Sequence, residues 1–208
     1  MATNSKTFLM PEQYLEIESK AEFKSEYYNG EMFAMAGAGR AHILICGNAS
    51  DQLRRRLREG PCEVYQSDMR VKVNATGLYT YLDAVVACTP QFLDDQEDTL
   101  LNPTLIVEVL SPSTEAYDRG RKFEHYRSVE SLTAYLLVSS DRIHVDLFTR
   151  QPEGRWLLAS TDRLEDAIEL QSIGCRVAVA DLYERVEFGE EGREPAASDR
   201  KPELSSGR

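Results

Sequence analysis

Five side chains carry most of the chemistry this sequence can offer: Asp83, Glu108, Asp118, Lys122 and Tyr126. Glu108 interrupts Leu105-Ile106-Val107-Glu108-Val109-Leu110, a run with the length and apolar content of a strand covered on both faces. An ionised carboxylate there loses its hydration, which is costly unless a cation or hydrogen-bond donors replace the water. Asp83 repeats the pattern in Tyr81-Leu82-Asp83-Ala84-Val85-Val86-Ala87-Cys88, an acid embedded in a strand of small and β-branched residues. Neighbouring strands would bring the two carboxylates together, and like charges that close stay ionised only with a cation between them. Such oxygen ligands suit Mg2+ or Mn2+, which keep several waters and so leave room for a phosphate. The bland alternative is a buried salt bridge from either acid to Arg119, Arg121 or Lys122.

The segment after Glu108 supplies the next groups. Pro112 ends the strand, Ser113 or Thr114 can cap a helix, and Glu115 favours its N-terminus. Asp118, Lys122 and Tyr126 follow at i, i+4 and i+8, which places them along one stripe. Aimed back at the strand end, the Lys122 ammonium could orient a water or stabilise developing negative charge. The alternative is a surface Asp-Lys pair, about 0.3–0.5 kcal/mol, beside a core tyrosine. Gly120 costs about 1 kcal/mol in a helix interior, so regular helix is expected only after it.

Four further positions are weighed on the same terms. Glu26 is either a supporting acid or a solvated strand-end carboxylate. His42 opens the first long helix, where a lone histidine is more often a partly buried residue than a ligand. Asp68 is a supporting group or the start of an Asx turn. The cluster Arg54-Arg55-Arg56 with Arg58 either touches phosphates or complements the dipole at a helix C-terminus.

The elements that must position these groups are legible from pattern. Residues 10–18 read as a short helix with Pro11 in the first turn. Asn29-Gly30 between two aromatic, apolar arms signals a hairpin over residues 26–35. A helix follows over 41–58, with Ile43, Leu44, Gly47, Leu53 and Leu57 as the expected buried stripe, stopped by Gly60-Pro61. Strands are expected at 62–65, 69–73, 82–88, 104–110 and 134–139. A meander over 143–148 and 155–159 turns at Pro152-Glu153-Gly154, and short elements lie near Ile168 and Val177. This predicts one α/β (α+β) domain over residues 1–188, a central mixed sheet with helices on its faces and additional antiparallel strands. The tail 189–208, rich in Glu, Arg, Pro and Ser, is expected to be disordered.

Bulk properties exclude several classes. With 24 Lys and Arg against 35 Asp and Glu, the net charge of -11 argues against a general nucleic-acid coat. It leaves room for an enzyme with a local basic groove. No apolar run approaches the roughly 20 residues that span a bilayer, and the N-terminus lacks a signal-peptide pattern. The four cysteines, Cys46, Cys62, Cys88 and Cys175, form no CxxC pair, so a cytoplasmic protein with buried thiols is expected.

Taken together, Glu26-Tyr27-Tyr28-Asn29-Gly30-Glu31, Tyr81-Leu82-Asp83 and Glu108-Val109-Leu110-Ser111-Pro112-Ser113-Thr114, with Asp118, Lys122 and Tyr126, resemble the Uma-two family. These are restriction-endonuclease-like proteins of the PD-(D/E)xK nuclease superfamily, and the resemblance runs from about Phe8 to Val186. It implies a mixed central sheet and a divalent metal held by Asp83, Glu108 and the Val109 carbonyl. It implies too that Glu26 helps position water or a second metal. The superfamily's usual lysine, two residues after the glutamate, is Leu110 here; the resemblance moves that role to Lys122. The family's usual Pro-Asp is Leu82-Asp83. The implied function is a Mg2+- or Mn2+-dependent endonuclease acting on DNA. A homodimer is expected, because double-strand cleavage needs two sites. The competing reading is a nuclease-fold module without cleavage, binding nucleic acid or protein. A third has Glu108 in a metal-free ion pair.

Overall fold

A computed structural model describes residues 8–35 and 37–188. The expected disordered tail, and most of the N-terminal stretch read against a signal peptide, lie outside the described residues. So does Ala36, at the approach to the first long helix.

Helix α1 (Pro11–Glu18) leads into the hairpin β1 (Ser25–Tyr28) and β2 (Glu31–Ala34). Asn29 and Gly30 both take positive φ, 49° and 81°, the two-residue turn whose twist matches its strands. A Cβ on Gly30 would sit 2.2 Å from the Phe8 ring. Gly30→Ala is therefore expected to cost at least about 1 kcal/mol, read as a lowered Tm.

The chain continues through α2 (Arg40–Leu57), β3 (Cys62–Gln66), β4 (Arg70–Val73), β5 (Leu78–Tyr81) and β6 (Ala84–Cys88). Next come the two-residue β7 (Thr99–Leu100) and the fully buried β8 (Leu105–Leu110). The segment after β8 is helical in three parts: α3 (Glu115–Tyr117), a π-helical turn over Asp118–Lys122, and α4 (Phe123–Tyr126). Helix begins before Gly120, at Glu115, and not only after it as expected; Gly120 lies inside the π turn, one widened turn. Strands β9 (Ala134–Ser139), β10 (Val145–Arg150) and β11 (Trp156–Thr161) complete the meander. A ribbon of β12 (Ala167–Leu170) and β13 (Cys175–Ala178) precedes α5 (Val179–Leu182).

One six-stranded mixed sheet has the order β11-β10-β9-β8-β6-β3, and a second, five-stranded sheet has the order β2-β1-β5-β4-β7. The six-stranded sheet is the expected central mixed sheet, and the five-stranded sheet supplies the additional strands; the chain bends between Tyr81 and Ala84 and passes from one to the other. In the six-stranded sheet β8 runs parallel to β9 and antiparallel to β6. A parallel pair needs a crossover, and the helical segment 115–126 makes it.

Alternation along β8 decides which side chain meets which layer. Leu105, Val107 and Val109 pack with Ile45, Ala49, Leu53 and Leu57 of α2. Ile106 and Leu110 pack on the opposite face with Tyr126, Leu132 and Tyr135. Glu108 shares that second face by period. Each such aliphatic side chain, fully buried, stabilises by about 1.5–3 kcal/mol.

Two expectations need correction. Of the stripe expected on α2, Leu53 and Leu57 are buried, but Ile43 is 59% exposed and the inner face runs through Ile45 and Ala49 instead. Packing of Ile45, Ala49, Leu53 and Leu57 against β8 sets the phase of the helix. The four cysteines are not all thiols: Cys62 and Cys88 are register partners on β3 and β6 and form a disulfide. Cys46 and Cys175 stay free.

Candidate functional site

Glu108 is 4% exposed in the middle of β8, and two donors from the crossover reach it. Lys122 Nζ and Tyr126 OH both donate to its Oε1, at 3.0 Å each. Lys122 Nζ also lies 3.2 Å from Asp118 Oδ1 and 3.3 Å from Glu26 Oε1. One ammonium is thus shared among three carboxylates from three different elements. Glu26 comes from β1 of the second sheet, where Thr80 donates to it and Tyr117 OH approaches at 3.5 Å. It is 8% exposed, which removes the solvated-acid alternative for this position.

Asp83 is not inside a ladder, as its apolar surroundings in the sequence suggested, but in the bend before β6. The β6–β8 register pairs Ala84 with Val107, so extending it by one residue sets Asp83 across from Glu108. Asp83 Oδ2 accepts the Val109 N–H at 2.7 Å, and Oδ1 lies 2.9 Å from His42 Nε2. His42 opens α2 and is thereby tied to the same place. Glu26, His42, Asp83, Glu108, Asp118 and Lys122 line one cleft of about 1030 Å³, together with Val109, Arg40 and Arg121.

The electrostatics follow from burial and crowding. Burial pushes the Glu108 carboxyl up to about 8; Lys122 opposes this, while Asp118 and Asp83 add to it. Asp118 is raised too, by burial first, against the pull of Lys122. Burial alone would lower Lys122, but Glu108, Glu26 and Asp118 hold it well above the usual lysine range. His42 is likewise raised: the hydrogen bond and charge of Asp83 outweigh its burial. Four carboxyl groups compete for one fixed ammonium, and the crowding raises Glu108 and Asp118. That donor set fits a hard divalent cation.

Asp68 stands apart, an exposed carboxylate paired with Lys24 outside this cleft. The supporting place expected for it is corrected: its turn projects it into solvent. The arginine cluster also turns to the protein's own groups, Arg54 to the Val64 carbonyl, Arg55 to Asp51 and Arg56 to Asp181. Sequence reasoning passed over Cys46, whose thiol lies beside Asp83 and is raised by burial and then by that charge. Its signal was the i, i+4 spacing from His42.

The chain is an α+β domain of mixed sheets flanked by helices, with its acids and lysine in one cleft. A solved structure, described as "a putative nuclease belonging to DUF820" from Anabaena variabilis, superposes with a TM-score of 0.68. It is 15% identical and covers 84% of this chain and 97% of its own, which establishes the shared nuclease-like fold. Residues 11–180 match the family Uma2, described as "Putative restriction endonuclease", and the chain belongs to that family. Two uncharacterized proteins of Synechocystis sp. are similar to it. One, slr1290, is 40% identical over 86% of this chain and 94% of its own length. The other, sll1609, is 33% identical over 76% and 90% respectively.

Proposed function

We propose that the protein is a divalent-metal-dependent endonuclease that hydrolyses DNA phosphodiester bonds. The observation that carries this reading is the convergence of Glu26, Glu108 and Asp118 around Lys122, with Asp83 in the same cleft. Asp83, Glu108 and the Val109 carbonyl are the proposed ligands of Mg2+ or Mn2+. Such an ion supplies Lewis-acid polarisation of the phosphate and a more acidic water.

The chain's own residues then have distinct tasks. Lys122 stays an ammonium at neutral pH, because three carboxylates hold its proton. It therefore acts by donating hydrogen bonds and positive charge, orienting a water or stabilising an oxyanion, and not as a general base. Tyr126 fixes the Glu108 carboxylate through its OH. His42 and the Val109 N–H each hold one oxygen of Asp83, which sets that carboxylate's orientation. Glu26 and Asp118 place the lysine. Arg40 and Arg121 on the cleft wall offer the phosphate partners that the overall negative charge otherwise denies.

The test is incubation of the purified chain with supercoiled plasmid and single-stranded DNA in Mn2+, Mg2+ or chelator. Cleavage is expected with either ion and not with chelator. Asp83→Asn is expected to reduce it at least about 10²-fold, the scale of losing one preorganised electrostatic group. If the plasmid stays intact and Mn2+ also fails to raise Tm by mass action, the protein is a binding module on a nuclease fold.

A further inference from the structure

Cys46 stands one helical turn beyond His42 on α2, so the two side chains share a face. His42 Nε2 or Nδ1, Cys46 Sγ and a carboxylate oxygen of Asp83 lie within 4.8 Å of one another. His42 Nε2 is already 2.9 Å from Asp83 Oδ1. This nitrogen–sulfur–oxygen set differs in kind from the oxygen-only set proposed for Mg2+. Thiolate and imidazole favour zinc and similar borderline ions; Mg2+ does not take them.

The geometry is close to what zinc needs. Bonds of about 2.0–2.3 Å in a tetrahedron hold one sulfur, one nitrogen and one oxygen about 3.3–3.6 Å apart. The His42–Asp83 contact opens slightly and the sulfur closes in by up to about 1.3 Å, within reach of side-chain torsions. All three residues are partly buried, and the cleft that reaches His42 and Asp83 gives an ion its route. Three protein ligands leave the fourth position to water.

We propose that His42, Cys46 and Asp83 form a Zn2+ site at the side of the cleft. Binding takes the sulfur as thiolate and the ligating His42 nitrogen without a proton; the thiol proton and any proton on that nitrogen pass to solvent. Asp83 belongs to this set and to the one proposed for Mg2+. Zn2+ therefore withdraws Asp83 from the hard-cation site and inhibits cleavage; this consequence, unlike the Zn2+ site itself, rests on the proposed nuclease reading.

Co2+ titration of the full chain tests the site without any cleavage assay, since a thiolate–Co2+ bond has its own charge-transfer absorption. The band is expected in the wild type, in Cys175→Ser and in Glu108→Gln, and lost in Cys46→Ser. Zn2+, measured by displacing Co2+, should bind Cys46→Ser and His42→Gln more weakly. The loss should be at least the roughly 10–100-fold that removal of a mere outer-shell partner costs. Thermal melts confirm that each variant is folded, and His42→Gln carries the test if Cys46→Ser is not. A wild type without the band, or a band that survives in Cys46→Ser, overturns the proposal. So does a band lost in Glu108→Gln, which would assign the ion to the carboxylate site. A band that behaves as expected in a chain that cuts no DNA supports the Zn2+ site and removes only the nuclease reading.

Discussion

Lys122→Met is expected to be the most destabilising single substitution in the cleft. The ammonium is 7% exposed and sits 3.0, 3.2 and 3.3 Å from Glu108, Asp118 and Glu26. Methionine fills a similar volume but leaves Glu26 and Asp118 crowded beside Glu108 without their cation. Removing one partner of a buried ion pair costs about 3–5 kcal/mol. Urea unfolding near neutral pH, in chelator, should show a loss of that size. Adding Glu26→Gln should restore part of it, because one of the stranded charges goes with it; coupled neighbours interact by about 0.5–3 kcal/mol. Mn2+ should stabilise Lys122→Met more than it stabilises the wild type, since the ion replaces the missing charge. A loss below about 1 kcal/mol, the ceiling for exposed pairs, would mean that the lysine is solvated and holds nothing together.

The second large effect belongs to Glu108 and depends on pH. Its carboxyl titrates at about 8 in the folded chain, through burial above all, against an ordinary value of 4.5. Between those two values the folded state keeps a proton that the unfolded state has released. Stability therefore falls as pH rises through this window, by up to about 1.4 kcal/mol per unit for one proton. Below the window both states are protonated, above it both are ionised, and the slope vanishes at either end. Glu108→Gln removes this slope while keeping the shape of the side chain. Urea midpoints measured in chelator from about pH 5 to pH 8 should show the wild type losing ground steadily to the variant. In Mn2+ the wild-type slope should reverse, because the ion binds the ionised carboxylate and its affinity grows with pH. The Mn2+-induced rise in Tm should be absent from Glu108→Gln, along with any cleavage. Parallel pH profiles for the two chains would show that Glu108 is ionised throughout and that its burial is compensated by Lys122 and Tyr126 alone.

How much of this could be read from the chain itself varied with the range of the interactions. The Asn29-Gly30 hairpin and the strands around Val107 and Leu136 are local patterns, and they stand where pattern put them. Glu108, Lys122 and Tyr126 were legible because an acid in an apolar run needs donors and the spacing downstream supplied them. Glu26 was harder. Its burial depends on Thr80 and Tyr117, which only the second sheet brings near it. The Cys62–Cys88 pairing depends on the register of β3 against β6, which no spacing along the chain encodes. The same limit hid Asp146, 2% exposed on β10 and hydrogen-bonded by Ser160 and Arg119 from two other elements. On α2 the apolar residues are spread too evenly to fix a face, so only the sheet could choose Ile45 over Ile43.

The π-helical turn at Asp118–Lys122 makes chain length as important as residue identity. Each residue of a regular helix advances the direction of its side chain by about 100°. Dropping one residue from the widened turn would leave Lys122 and Tyr126 anchored from the Val129 end while swinging Asp118 and all before it away from the lysine. In a comparison of relatives, a gap between Pro112 and Tyr126 would therefore mark a dismantled centre even where every acidic and basic letter is retained. An ungapped segment with a substituted letter could keep the same architecture.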